Sequence, residues 1–423
     1  MKLLAALAIW PAFAFAQEID SPVERLDTLA GQIETLDLLV KDMSKFKVSA
    51  YIQGQYQYGQ KDASLKVGDK NEDPEQGFNR IGIRRGRMKF AYDDGLGTGA
   101  IQIEVNDKGV SFRDIYIGIR DPWTRQNRLM AGVFNRPFGH EVTFSTSNLE
   151  SPERATVIQY FFPDERDLGA MLALRMPKES SLHFLTLDAG LFAGNSINRE
   201  TDNRKDFIGR LGASKAIGQD MEWGLGASYY NGSVFNPTST SYEMQEGHFV
   251  AIDQGRTGTF MKREYFGVDA QFSFHSSMGK TELRAEGLWG TQPGIASSSR
   301  SPNYSTRPTN DEANALYARP FLGYFFYFIQ DIGTSPFSFV LKYDAYDPNT
   351  KLKGDETGRP ESLTSATDLA QYTVGLGGLY RFSKHIRLQA YYEVNRNETS
   401  ANVVGYEKDR KDNVLTIRLQ YKF

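Results

Sequence analysis

The sequence predicts an all-β fold, a 16-stranded antiparallel transmembrane β-barrel preceded by a short N-terminal helix. Three observations carry this. Apolar and polar residues alternate with a period of two along segments from Phe46 to Phe423. The connections between those segments are short and long in turn. The chain also opens with an export signal. Composition agrees: 39 Gly, 28 Phe, 22 Tyr and 4 Trp in 423 residues favour strands and turns. Beyond the start of the chain the richest apolar run, the nine residues 321–329, falls well short of the ~18 residues that a membrane-spanning helix needs.

Charge and cysteine content narrow the function classes. Lys and Arg number 49 against 52 Asp and Glu, a net charge of -3, so the molecule as a whole is not a nucleic-acid binder. The absence of cysteine excludes a disulfide scaffold, thiol catalysis and Cys-based zinc sites.

Residues 1–16 read as a secretory signal peptide. Met1 and Lys2 form a basic start, Leu3 to Phe15 is almost wholly apolar, and Ala14-Phe15-Ala16 is a cleavage site. Residues 17–45 read as a periplasmic amphipathic helix. Ser21 is placed to cap it, Pro22 suits its first position, and Glu24 completes a capping box. Leu26, Leu29, Ile33, Leu36, Val40 and Met43 then form a heptad seam. A helix over 22–44 is about 35 Å long. Two readings stay open: a stalk that self-associates as a trimeric coiled coil, or a single helix lying on the rest of the protein.

Residues 46–423 read as the barrel. In the first strand Val48, Ala50, Ile52, Gly54, Tyr56 and Tyr58 alternate with Lys47, Ser49, Tyr51, Gln53, Gln55 and Gln57. The last strand does the same, Leu415 to Phe423 against Val414 to Lys422. Alternation alone fits a soluble sandwich as well as a barrel whose apolar face meets lipid. Loop lengths separate the two. Strands are predicted near 46–59, 78–93, 97–106, 110–120, 127–135, 167–177, 181–194, 207–218, 222–235, 262–276, 279–291, 315–331, 335–347, 369–383, 386–397 and 411–423. Connections after even strands are short. Most after odd strands are long and polar, including 60–77, 136–166, 236–261 and 292–314; Asp107-Lys108-Gly109 is the exception. A meander with one quiet rim and one elaborated rim produces this pattern. The even count puts both chain ends on the periplasmic rim. Phe423 reads as a recognition signal for the barrel-assembly machinery, or as an interfacial girdle aromatic, or both.

Several stretches together resemble the phosphate-selective porin family, porins O and P. They are IRRGRMKF at 83–90, FRDIYI at 112–117, AGVFNRPFG at 131–139, LESPER at 149–154 and RLQYKF at 418–423. The resemblance implies a 16-stranded outer-membrane porin of a Gram-negative bacterium, assembled as a homotrimer in lipid. It implies that loop 3, about 136–166, folds into each barrel, with arginines at the narrowest point. Arg84, Arg85 and Arg154 carry over on that basis, and Arg210 matches the family's strand arginine. Two positions depart from the pattern. Val142 stands where the family has a loop lysine, and Val133-Phe134 where it has Arg-Phe, so phosphate is expected to bind only weakly.

The residues themselves give a matching account. Arg85, Arg87 and Lys89 share one face of the second strand. That face should line the lumen, because a lipid-facing Arg at mid-depth costs ~2–4 kcal/mol. Arg84 has the wrong parity; it is near a rim, displaced by a bulge around Gly82 or Gly86, or subject to a register shift. The run also fits the solvated wall of any wide pore. Loop 3 carries Glu141, Glu150, Glu153, Asp164 and Glu165 besides Arg136, Arg154 and Arg166. Folded inward, its acids would face the basic wall and set a transverse field. Mixed charge of this kind points to a passive channel for small hydrophilic solutes with mild anion preference; phosphate as one of those anions is what the resemblance implies.

His140, His183, His248, His275 and His385 are isolated, so no metal site is expected, and nothing calls for a cofactor. Glu264 and Asp269 have opposite parity on one strand and make no dyad. A barrel lipase or protease needs His with Ser, Asn or Asp converging at one rim, and no such trio is evident. An adhesive or binding barrel without an open pore would use the long outer loops. Single-channel conductance separates these readings.

Overall fold

The computed structural model describes residues 22–302, 307–309 and 311–423. The predicted signal peptide, 1–16, and residues 17–21 lie outside the described residues. The chain divides into two units, one up to Phe46 and one from Lys47 to Phe423.

In the first unit α1 spans Pro22–Ser44, the predicted range; its predicted cap, Ser21, lies outside the described residues. Lys41 pairs with Asp37 one turn earlier at 2.6 Å. Ile33, Leu36, Val40 and Met43 of the seam are all exposed.

The second unit is built on one antiparallel meander. Its strands are β1 (Phe46–Gly59), β2 (Phe78–Asp93), β3 (Gly97–Asn106), β4 (Gly109–Arg120), β5 (Arg128–Asn135), β6 (Arg166–Arg175), β7 (Leu185–Phe192), β8 (Asp206–Ile217) and β9 (Met221–Asn236). Then come β10 (Thr240–Gln245), β11 (His248–Asp253), β12 (Thr259–Ser276), β13 (Gly279–Gly294), β14 (Leu316–Asp331), β15 (Phe337–Asp347), β16 (Gln371–Arg381), β17 (Ile386–Asn397) and β18 (Val414–Lys422). Each barrel strand pairs with the next, β9 pairs directly with β12, and β1 pairs with both β2 and β18. Sixteen strands therefore close a barrel, and no edge is left unpaired in it.

The predicted polar loop over 236–261 needs correction. It contains the β10–β11 hairpin, whose tip Glu246-Gly247 has both residues at positive φ, the geometry of a two-residue primed turn. The hairpin joins the sheet by a short parallel pairing of β10 with β14, and Tyr242 stacks on Tyr317 at 4.2 Å.

Side-chain alternation places one face of each strand in lipid and the other in the lumen. On β1, Ile52 and Tyr58 are exposed while Tyr51, Gln53, Gln55 and Gln57 are buried inside. On β18, Ile417, Leu419 and Tyr421 face out while Thr416, Arg418 and Gln420 face in. The inward face is not uniformly polar. Tyr230, Tyr265, Leu288, Phe321, Phe325 and Tyr327 point inward and are buried. They receive loop 3, which contributes Phe138, Val142, Val157, Ile158, Phe161 and Phe162. The apolar run at 321–329 is thus a strand that meets lipid on one side and loop 3 on the other. Burying each of these large side chains contributes ~1.5–3 kcal/mol, which is enough to hold the loop inside the barrel.

Candidate functional site

Loop 3 leaves β5 and turns inward at Pro137-Phe138-Gly139. Gly139 sits at φ +59°, and a Cβ there would lie 1.8 Å from the Glu286 carboxylate, so only glycine fits. The Gly139 amide donates to Ser228 Oγ at 2.9 Å. Glu286 accepts from the amides of His140 and Glu141, both at 3.0 Å. A short helix, α2 (Thr156–Phe161), follows on the return limb. Asp344 accepts from the Thr156 amide at 2.7 Å and so serves its first turn. Gly323 opens the wall for this helix: a Cβ there would meet Val157 at 2.5 Å.

Between these anchors the loop crosses to the other wall. Thr146 bonds Tyr51 at 2.6 Å and accepts from Arg87 at 2.9 Å. Arg387 donates to the Leu149 carbonyl at 2.9 Å, and Arg418 to the Pro152 carbonyl at 2.7 Å. Ser151 bonds Tyr327 at 2.8 Å. Loop 3 is therefore tied to β1, β2, β14, β17 and β18 within seven residues.

The predicted residues fall into several charge clusters. The first centres on Glu153, which is buried. Arg84 grips it through two bonds of 2.7 and 2.8 Å, Arg85 through one of 2.8 Å, and Arg418 through one of 3.0 Å. Arg84 and Arg85 thus both face the lumen. Ile81 and Ile83 are exposed on one side of this point and Met88 and Phe90 on the other, so the outward parity changes between them. The change of outward parity between Ile83 and Met88 is what lets Arg84 and Arg85 both reach Glu153.

A second cluster joins Arg87 and Arg113 to Glu104, with Arg113 also reaching Asp164. A third links Lys89 to Asp114 at 2.8 Å, Asp114 to Arg166 at 2.9 Å, Arg166 to Glu165 at 2.6 Å, and Glu165 to Arg154 at 2.8 Å. The other predicted residues lie elsewhere. Glu150 pairs with Arg284 on β13. Glu141 turns to the opposite wall, accepting from Tyr327 at 2.8 Å and from the Ala155 amide at 3.0 Å. Arg210 pairs with Asp269 at 2.6 Å.

Acids and bases therefore touch rather than oppose one another across a gap. Buried as these pairs are, a guanidinium–carboxylate contact is worth more than in water, and bidentate geometry adds to it. Alternation could locate Arg85 and Arg87, but not Arg418, Glu104 or Arg113, whose roles depend on which strands become neighbours. Arg418 lay in plain view on the inward face of the last strand; its contact with Glu153 spans 265 residues of sequence.

Loop 3 separates cavities at its two sides. On the side of the long loops are two chambers of about 310 and 340 Å³. On the other side is one of about 320 Å³, lined by His140, Phe144 and Arg210. Among the described residues no cluster of metal-ligating side chains occurs.

A closed 16-stranded barrel with an apolar outer wall and an inward-folded, charge-paired loop 3 defines the class: an outer-membrane diffusion channel, a porin. The chain belongs to the family described as phosphate-selective porin O and P, whose model matches residues 51–423. It is accordingly a protein of the Gram-negative outer membrane. No curated protein matches the sequence. Among solved structures, the outer membrane channel DcaP of Acinetobacter baumannii is similar with a TM-score of 0.54 at 15% identity, over 89% of this chain and 97% of that one. Pseudomonas putida OprB gives 0.56 at 10% identity, over 94% and 97%. Salmonella typhi OmpF, in complex with daunomycin, gives 0.53 at 12% identity, over 89% and 97%. At these identities the likeness is one of fold.

Proposed function

We propose that this porin passes small hydrophilic solutes by passive diffusion with a mild preference for anions, phosphate included, and has no catalytic role. The observation that carries the reading is the convergence of Arg84, Arg85, Arg87 and Arg418 on loop 3, in a lumen where each is held by an acid or a polar group. Paired guanidiniums leave a weak field, so selectivity is mild rather than strict. Weak phosphate binding follows from Val142: where the family has a loop lysine, this chain has a side chain buried in the apolar core.

The working form is a homotrimer in outer-membrane lipid. The exposed seam of α1 supports a self-associating stalk on the periplasmic side. Phe423 serves as the signal to the barrel-assembly machinery. The test is the reversal potential of the purified, reconstituted protein under a potassium chloride gradient. A value displaced modestly toward the chloride potential supports the reading. A cation-selective current overturns the anion preference, and absence of any unitary current favours a closed adhesive or enzymatic barrel.

A further inference from the structure

We propose that Lys66 and Arg300, from two of the long outer loops, are the charges that set this channel's preference, forming an oxyanion-accepting mouth on the outer side of loop 3. The proposal rests on the porin reading above and names the residues behind its selectivity.

The argument starts from which charges are already engaged. The 340 Å³ chamber is lined by eight basic and five acidic side chains. Glu153 is held by Arg84 and Arg85, Glu104 by Arg87 and Arg113, and Glu165 by Arg154. Asp164 pairs with Arg113, and Asp107 accepts from the Gly68 amide at 3.0 Å. The excess of three cations is Lys66, Lys108 and Arg300. Among the described residues, no ion pair or hydrogen bond engages the Lys66 ammonium or the Arg300 guanidinium. Lys66 and Arg300, unlike Lys108, also line the neighbouring 310 Å³ chamber, so a solute meets them in both.

The surroundings suit a ligand rather than a structural role. Arg300 lies over the Tyr160 ring of α2, 4.5 Å from its centroid. Such a contact needs no N–H donor, so the guanidinium keeps its donors for a carboxylate or phosphate oxygen. Lys66 is half-buried beside the Glu153 cluster, where Gln57 accepts from its backbone amide at 2.7 Å and fixes the loop. Two unneutralised charges in a confined mouth attract anions across distances near the Debye length of ~8–10 Å.

The double variant Lys66→Gln, Arg300→Gln tests this in planar bilayers with 0.1 M potassium chloride on the dilute side, using inorganic phosphate and acetate as blockers. The expected result is unchanged unitary conductance at 1 M salt, a fall of about twofold or more in the anion-to-cation permeability ratio, and loss of block by both anions. Lys66→Glu alone makes the same charge change of -2 and should move the reversal potential in the same direction, so the test survives if the double variant does not assemble. Wild-type reversal potential and wild-type block in an assembled variant overturn the proposal while leaving the porin reading intact. A silent wild-type protein overturns both.

Discussion

Glu153 is the residue on which the constriction turns. Three guanidiniums share its two oxygens, so its removal leaves three cations against one neutral amide. Glu153→Gln should raise anion over cation permeability about twofold at 0.1 M salt, with the effect fading near 1 M, where the Debye length is ~3 Å. An unchanged reversal potential at low salt would mean that solutes pass elsewhere. The same variant should increase open-channel noise, because a contact buried this way holds loop 3 more firmly than a surface pair worth ~0–1 kcal/mol. A second residue carries a pH dependence. Asp412, in the last outer connection, has its carboxyl pushed up to about 6 by burial. Its ionised form therefore opposes the folded loop. That penalty is absent below the unfolded value of ~3.9 and complete above 6. The loop should resist limited proteolysis better at pH 5 than at pH 7 relative to Asp412→Asn, which should remove the difference. Equal protection of both chains at both pH values would sink this account.

At the scale of elements, the seat of α2 on β14 decides where loop 3 rests. Gly323 has no side chain because Val157 occupies that space. Gly323→Leu should displace α2 at a cost of about 1–3 kcal/mol. The barrel should still assemble, since its strand pairing is untouched. The displaced loop should appear as altered unitary conductance and a lower unfolding temperature; wild-type values for both would show that the loop is held by its charges alone. The β10–β11 hairpin supplies a topological test. A tag inserted at Glu246-Gly247 should be labelled from outside intact cells, and one at Gln219-Asp220, in a short turn, should not. The reverse pattern would invert the barrel.

For the whole molecule the expected assembly is a trimer whose interface is mostly barrel wall, with α1 adding to it. Deleting residues 17–44 should weaken the SDS-resistant oligomer on unheated gels without abolishing it. A species of monomer mass before and after deletion would count against the trimer.

The sequence by itself determined the period, the turns and therefore the fold. β1, β2, β3 and β17 begin and end where alternation and turn residues place them, and α1 spans the predicted 22–44. Such features are local: a strand's face and a helix's cap are decided within a few residues. The hairpin at 240–253 was legible in principle from its Glu-Gly turn and flanking alternation, but its length concealed it among outer loops. The site depended on contacts that no local pattern encodes. Arg418 meets Glu153 only because the barrel closes, and Arg84 faces inward only because the outward parity of β2 changes along its length. Lys66 and Arg300 look like ordinary loop cations in sequence, and only the tertiary structure brings them to the lining of one chamber without an ion pair among the described residues. Which charges cancel is a property of three-dimensional neighbours, because a Coulombic contact depends on distance in space and a low-dielectric lumen sharpens that dependence.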